Sequence, residues 1–127
     1  VIRKTKRADD ESFLPNTLRI AALAADKKAS DIRAYDVRGL TLIADSFVIC
    51  TATSQPQMKA VYTSVREGMR EIGVVPSHSE GAFYDGWLLL DYGTIIVHVF
   101  RKKHREFYDL DGLWADATEI DLDLDKP

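Results

Sequence analysis

Asp109-Leu110-Asp111 is the carboxylate pair whose spacing could serve two-metal nucleotidyl transfer, a chemistry that needs paired acids on a rigid element. With Asp45 or Asp91 as a third acid it would make a metal-dependent nucleotidyltransferase-like enzyme. The surroundings argue against this, because the pair follows a basic cluster and lacks a preceding Gly-Ser phosphate-binding turn. His78, His98 and His104 lie far apart with no Cys or carboxylate at ligand spacing, so zinc is not expected, and His98 reads as a hydrogen-bonding group. Asp121-Leu122-Asp123-Leu124-Asp125 has the alternating acids of a calcium loop's first half without its turn Gly or closing Glu. No glycine-rich phosphate loop, metal-binding helix motif or nucleophile elbow is present. The expectation is a protein without catalytic residues, metal or cofactor.

The stretch from Gly86 to Phe100 organises the rest. Two apolar runs rich in β-branched and aromatic residues flank Asp91-Tyr92-Gly93, the pattern of an antiparallel hairpin. With Tyr92 and Gly93 as the loop, Leu90 would pair with Ile95, Leu88 with Val97 and Trp87 with His98. Alternation then puts Leu88, Leu90, Ile95, Val97 and Val99 on one face, which belongs in the core. Trp87, Leu89, Ile96, His98 and Phe100 share the other with Asp91 and Thr94. That face must meet a helix of the same chain or another molecule.

Other elements follow from spacing. Pro15 and Asn16 start a helix to about Ala29, with Leu18, Ala22, Ala25 and Ala29 along one face. Ile32, Ala34 and Val37 mark a first strand, and Arg38-Gly39 a turn. Ser46 to Thr51 is apolar at every central position, as in a strand covered on both faces. Ser54 with Gln57 forms a capping box for a helix carrying Met58, Val61, Tyr62, Val65, Met69 and Ile72, stopped by Gly73. A short strand is expected within Val74 to Ser79. Lys102-Lys103-His104-Arg105 is a basic cluster, after which Phe107, Leu110 and Trp114 share a helix face packing back on the sheet.

The domain plan is a loose arm over residues 1–13, a folded domain over 14–115, and a solvated acidic tail over 116–127. At 127 residues, 46% hydrophobic and 29% charged, the chain is one domain with a real core. A net charge of -3 and pI near 5.6 exclude nucleic-acid binding through a broadly basic surface. One cysteine, Cys50, excludes an intramolecular disulfide, and no run reaches membrane-spanning length, so a cytoplasmic setting is expected. The first residue is Val, which fits a trimmed start.

From Leu18 to Trp114 the chain resembles the ribosomal silencing factor, or Iojap-related, family. The blocks that carry the likeness are Asp26-Lys27-Lys28-Ala29-x-Asp31-Ile32, Asp36-Val37-Arg38-Gly39, Ala44-Asp45-Ser46-Phe47-Val48-Ile49 and Thr51-Ala52-Thr53-Ser54. They continue through Glu80-Gly81, Trp87-x-Leu89-Leu90-Asp91-Tyr92-Gly93, Val97-His98-Val99-Phe100 and Arg105-x-Phe107-Tyr108-Asp109-Leu110-x-x-Leu113-Trp114. The resemblance implies an α/β single domain, a mixed β-sheet with flanking helices, related to nucleotidyltransferases but without their active site. It also implies binding to a universal protein of the L-fourteen family on the intersubunit face of the large ribosomal subunit. Joining of the small subunit would be blocked sterically, repressing translation when nutrients are scarce.

On this reading Trp87, Asp91, Tyr92, His98 and Phe100 bind the partner, Trp87 as the amphipathic anchor and Tyr92 at the loop tip. Lys102, Lys103 and Arg105 would add a local ribosomal RNA or acidic-partner contact. The competing readings are the enzyme built on Asp109 and Asp111, and a homodimer that covers the apolar hairpin face, so the protein is expected as a monomer or homodimer.

Overall fold

The computed structural model describes residues 12–124, so most of the expected N-terminal arm lies outside the described residues. Chain order is α1 (Leu14–Asp26), β1 (Ser30–Asp36), β2 (Ser46–Ala52), α2 (Gln55–Arg70), β3 (His78–Glu80), β4 (Trp87–Asp91), β5 (Ile95–Arg101), α3 (Lys102–Tyr108), α4 (Leu110–Leu113) and β6 (Thr118–Glu119). A 3-10 turn, Phe83–Asp85, precedes β4. The strands make one six-stranded mixed sheet in the order β3-β4-β5-β2-β1-β6. β2 and β5 are its parallel pair and every other pairing is antiparallel. As its unbroken apolar run implied, β2 is central and buried along its whole length.

Two apolar layers enclose the sheet. On one face Leu88, Leu90, Ile95, Val97, Val99, Val48 and Cys50 meet Ile20 and Ala24 of α1 and Met58, Val61, Val65 and Met69 of α2. Tyr35, Phe47, Ile49, Ile96 and Phe100 lie on the other, where Trp87, Leu89, Leu110 and Trp114 pack partly buried. The hairpin faces are therefore those that alternation predicts. Its register differs by two: Trp87 faces Phe100, Leu88 faces Val99 and Leu90 faces Val97. The loop is Gly93-Thr94, with Tyr92 N–H donating to the Ile95 carbonyl at 2.8 Å, because Gly93 adopts φ +84° at the first loop position. A shift of two leaves each side chain on its face, since the strand period is two.

α2 begins as read, with Ser54 Oγ accepting from Gln57 N–H at 3.1 Å. Gln57 does more than a capping box requires: its Oε1 accepts from Thr53, and its Nε2 donates to the carbonyls of Lys27 and Lys28. It thereby ties the start of α2 to the end of α1. Ile72 lies beyond this helix and is exposed.

Four expectations are corrected. The buried stripe of α1 is Thr17, Ile20, Ala21 and Ala24, rotated from the alanine series at Leu18, Ala22, Ala25 and Ala29; in an alanine-rich helix the larger Ile20 decides which face goes in. That helix also ends earlier, at Asp26, where Lys28 turns left-handed and Ala29 N–H reaches back to the Ala24 carbonyl. The expected strand within Val74 to Ser79 is delayed to His78–Glu80, beyond Pro76, which has no N–H to give a ladder. Finally, the acidic tail is docked through its described part: Thr118 and Glu119 pair with Asp36 and Tyr35, and Ile120 and Leu122 pack on the core.

Phe13, assigned to the loose arm, is also folded. It is buried, Thr17 N–H and hydroxyl both donate to its carbonyl, and the Arg38 guanidinium lies 4.7 Å above its ring. Phe13→Ala is expected to destabilise the protein by about 3 kcal/mol, at the low end for a buried aromatic. Urea unfolding checks this; a shift near zero would return Phe13 to the arm.

Candidate partner-docking face

The hairpin side turned away from α1 and α2 is covered by the short α3–α4 segment and by Val37 and Ala44 of the β1–β2 connection. Its centre is Trp87, half-buried on β4. The indole stacks on Phe100 (centroids 5.0 Å, 28°) and meets Tyr108 at a tilt (4.6 Å, 44°), while its Nε1–H donates to His98 Nδ1 at 3.0 Å. Three neighbours thus hold one aromatic ring. His98 is itself buried, so desolvation lowers its pKa to about 4 and leaves it neutral at physiological pH. An Nδ1 that accepts assigns the ring hydrogen to Nε2, which has no hydrogen-bond partner among the described residues, as is also true of Trp114 Nε1 on the same face.

Several residues named from the sequence do not reach this surface. Phe100 is fully buried and His98 is 4% exposed, so both lie beneath Trp87 as support and cannot touch a partner directly. Tyr92 has the parity of Leu88 and Leu90, which sends its side chain to the helix side; it packs half-buried against the core with Tyr62 and Phe83. Burial pushes its phenol up to about 12. Trp87 and Tyr92 therefore do not form one patch. Asp91 is half-buried on the Trp87 face, where one carboxylate oxygen accepts from Gly93 N–H at 2.7 Å and steadies the turn.

Arg105 is the largest correction, because the basic cluster turns one member inward. Arg105 is 8% exposed; its Nε and Nη2 fork onto Asp111 at 3.1 and 2.9 Å, and Nη1 donates to the Asp31 carbonyl and to Thr51 Oγ1. Tyr35 hydroxyl donates to Asp111 Oδ2 at 2.7 Å. Burial alone would raise the Asp111 pKa, but the bonds from Arg105 and Tyr35 and the guanidinium charge leave it below the usual carboxylate value. Lys102 and Lys103 stay exposed at the start of α3.

This network also accounts for the carboxylate pair. Asp111 is held by Arg105, and Asp109 caps α4 by accepting from Gly112 N–H. Asp45 and Asp91 flank the hairpin turn, where Asp45 N–H meets the Thr94 carbonyl, whereas Asp111 is tied through Arg105 to Thr51 at the other end of β2. The four acids do not converge. Among the described residues no group of three His, Cys, Asp or Glu is placed to hold a metal ion.

Tyr108 was missed by the sequence reading, which turned Phe107 inward. Phe107 is 78% exposed and Tyr108 packs on Trp87 instead, because Asp109 breaks the expected helix by turning left-handed at φ +48°. Gly81 matters too: at φ +96°, any Cβ there would collide with the Trp87 carbonyl oxygen. Leu40, Leu42 and Ile43 form an exposed apolar run in the β1–β2 connection that the sequence pattern does not assign to any site. Their lack of alternation was the available signal.

Together the sheet and its aromatic face define a single-domain α/β protein whose best-formed surface feature is a fixed indole. A family model described as "Ribosomal silencing factor during starvation" matches residues 11–127. A Bacillus subtilis protein named "Ribosomal silencing factor RsfS" is 42% identical over 108 residues, covering 84% of this chain and 92% of that protein. The maize "Protein Iojap, chloroplastic" is 35% identical over 118 residues, covering 92% of this chain and 51% of its own length. A crystal structure from Chromobacterium violaceum is similar at TM-score 0.77 with 32% identity, covering 80% of this chain and 84% of that one. The chain belongs to the ribosomal silencing factor family.

Two stability measurements test the site's construction. The unfolded chain takes up a proton on His98 below about pH 6.5 and the folded one only near pH 4, so stability falls with pH across that window, by about 3 kcal/mol at its lower end. Urea titrations at a series of pH values should show this loss in the wild type and its flattening in His98→Gln. Arg105→Met removes the charge that compensates Asp111, leaving it only the Tyr35 hydroxyl, and should cost about 2 to 3 kcal/mol, reduced from the value for a fully buried pair because Asp111 is partly exposed. Unchanged unfolding midpoints would refute the internal role.

Proposed function

We propose that the protein represses translation by docking its Trp87 face on the large ribosomal subunit, where it keeps the small subunit from joining. The family supports a ribosome-associated regulator, since the bacterial relatives carry the name ribosomal silencing factor. The observation that carries the mechanism is the indole itself. A large aromatic ring, held by Phe100, Tyr108 and His98 yet still half-exposed at a sheet face, is the kind of preorganised anchor that dominates binding energy.

The partner is a large-subunit protein of the L-fourteen family at the intersubunit face, and occlusion requires no catalytic residue, metal or cofactor. Asp91 borders the docking surface with one carboxylate oxygen engaged in the turn. Lys102 and Lys103 supply a local contact to ribosomal RNA. The setting is the cytoplasm; among the described residues no helix is long and apolar enough to cross a membrane.

Trp87→Ala should weaken binding to purified large subunits roughly thirtyfold, the loss of a hot spot worth about 2 kcal/mol, while circular dichroism stays unchanged. Tyr92→Phe should bind as wild type, because the deleted hydroxyl has no hydrogen-bond partner among the described residues. Co-sedimentation distinguishes the two. Equal binding by Trp87→Ala would overturn the docking face.

A further inference from the structure

Beside Trp87 lies a recess of about 270 Å³ lined by Glu80, Gly81, Asp85, Trp87, Leu89 and Tyr108. Its composition is specific in two ways. The inner wall is aromatic, with Trp87 and Tyr108 at 4.6 Å between centroids and 44° between planes. The rim is acidic, and no lining residue carries a positive charge.

Each wall has capacity to spare. The indole N–H is committed to His98, which leaves the ring face, where π-electron density is negative, as what Trp87 offers an incoming group. Glu80 uses Oε2 toward His78 at 2.6 Å, and neither Glu80 Oε1 nor the Asp85 carboxylate has a side-chain partner among the described residues. A ring face beside carboxylate oxygens that still have acceptor capacity attracts a cation and repels phosphate. The geometry is fixed before any ligand arrives: Glu80 is on β3, Trp87 and Leu89 on β4, Tyr108 at the end of α3, and Gly81 fits against the Trp87 carbonyl only because it lacks a Cβ.

From this we infer that the recess is a receptor for one lysine or arginine side chain of the partner protein, the cation lying over the indole and hydrogen-bonding to Glu80 and Asp85. The assignment rests on the docking function proposed above and adds the chemistry of the contact. It also divides labour on the surface: this edge reads a basic protein side chain, and any contact to nucleic acid falls to the lysines of α3.

The test has two arms. In the first, wild type, the doubly neutralised Glu80→Gln/Asp85→Asn protein and Trp87→Leu are titrated against purified large ribosomal subunits at low and moderate salt. The neutralised protein should bind roughly tenfold more weakly with a shallower salt dependence, and Trp87→Leu should lose a similar factor. Wild-type affinity in the neutralised protein would overturn the cation while leaving the docking face in place. Tighter binding would overturn it too, by indicating phosphate at the rim.

The second arm does not depend on ribosomes. The blocked tripeptide acetyl-Gly-Arg-Gly-amide is titrated into ¹⁵N-labelled protein, and the Trp87 indole and the Gly81 and Asp85 amides are followed by NMR. A saturable shift at these groups, absent with acetyl-Gly-Leu-Gly-amide and lost in the neutralised protein, supports the receptor even if large subunits fail to bind in the first arm. Equal responses to both peptides, or none, overturn it.

Discussion

The parallel pairing of β2 with β5 is the constraint on which the rest of the structure depends. β2 is buried along its whole length and β5 along all but its last residue, Arg101, and a strand with apolar side chains on both faces needs two separate covers. α1 and α2 supply one, long enough to span the sheet. The other is built from the short α3–α4 segment and the β1–β2 connection, and it does not extend over all of β4. Trp87 stands where that second cover runs out. The candidate site is thus a by-product of unequal covering, which leaves a large aromatic ring supported from below and open on one side.

Two polar arrangements keep the thinner cover in place and the ring in position. Arg105 carries the first. By gripping Asp111, the Asp31 carbonyl and Thr51 together, it fastens the α3–α4 segment to the ends of β1 and β2, and Tyr35 completes the shell of the carboxylate. A charge taken out of water is tolerable only with such complete pairing, which is why removal of either partner matters more than formation of the pair. The second is the bond from Trp87 to His98. Burial keeps that imidazole neutral and therefore able to accept, so the same desolvation that makes the histidine a weak base fixes the orientation of the indole.

Read from sequence, residues at the site divided according to how far their partners lie along the chain. Trp87 was identified because alternation within one hairpin is local and places it opposite the core face. His98 and Phe100 were assigned to the right face, but their depth was not legible, since it depends on Tyr108 and Trp114 folding back over them. Arg105 reads as surface charge because its three neighbours in the cluster, Lys102, Lys103 and His104, give no sign of a buried acceptor, and Asp111 is presented to it only by the left-handed turn at Asp109. Glu80 and Gly81 read as part of a loop leading into the hairpin, whereas Glu80 closes β3. Their chemistry emerged when β3 paired with β4 and set a carboxylate beside the indole.

What the sequence determined by itself was therefore everything governed by short periods: one α/β domain, the two faces of the hairpin, the central place of β2, the Ser54 cap of α2, and, through its ordered motifs, the family. Tertiary structure alone decided which stripe of α1 is buried, the two-residue shift in hairpin register, the docking of Thr118 and Glu119 on β1, and which aromatic and charged groups stay at the surface. The physical reason is that period and capping act between residues a few positions apart. Burial, by contrast, is a competition among all apolar surfaces of the chain, and its outcome is fixed only when distant segments meet.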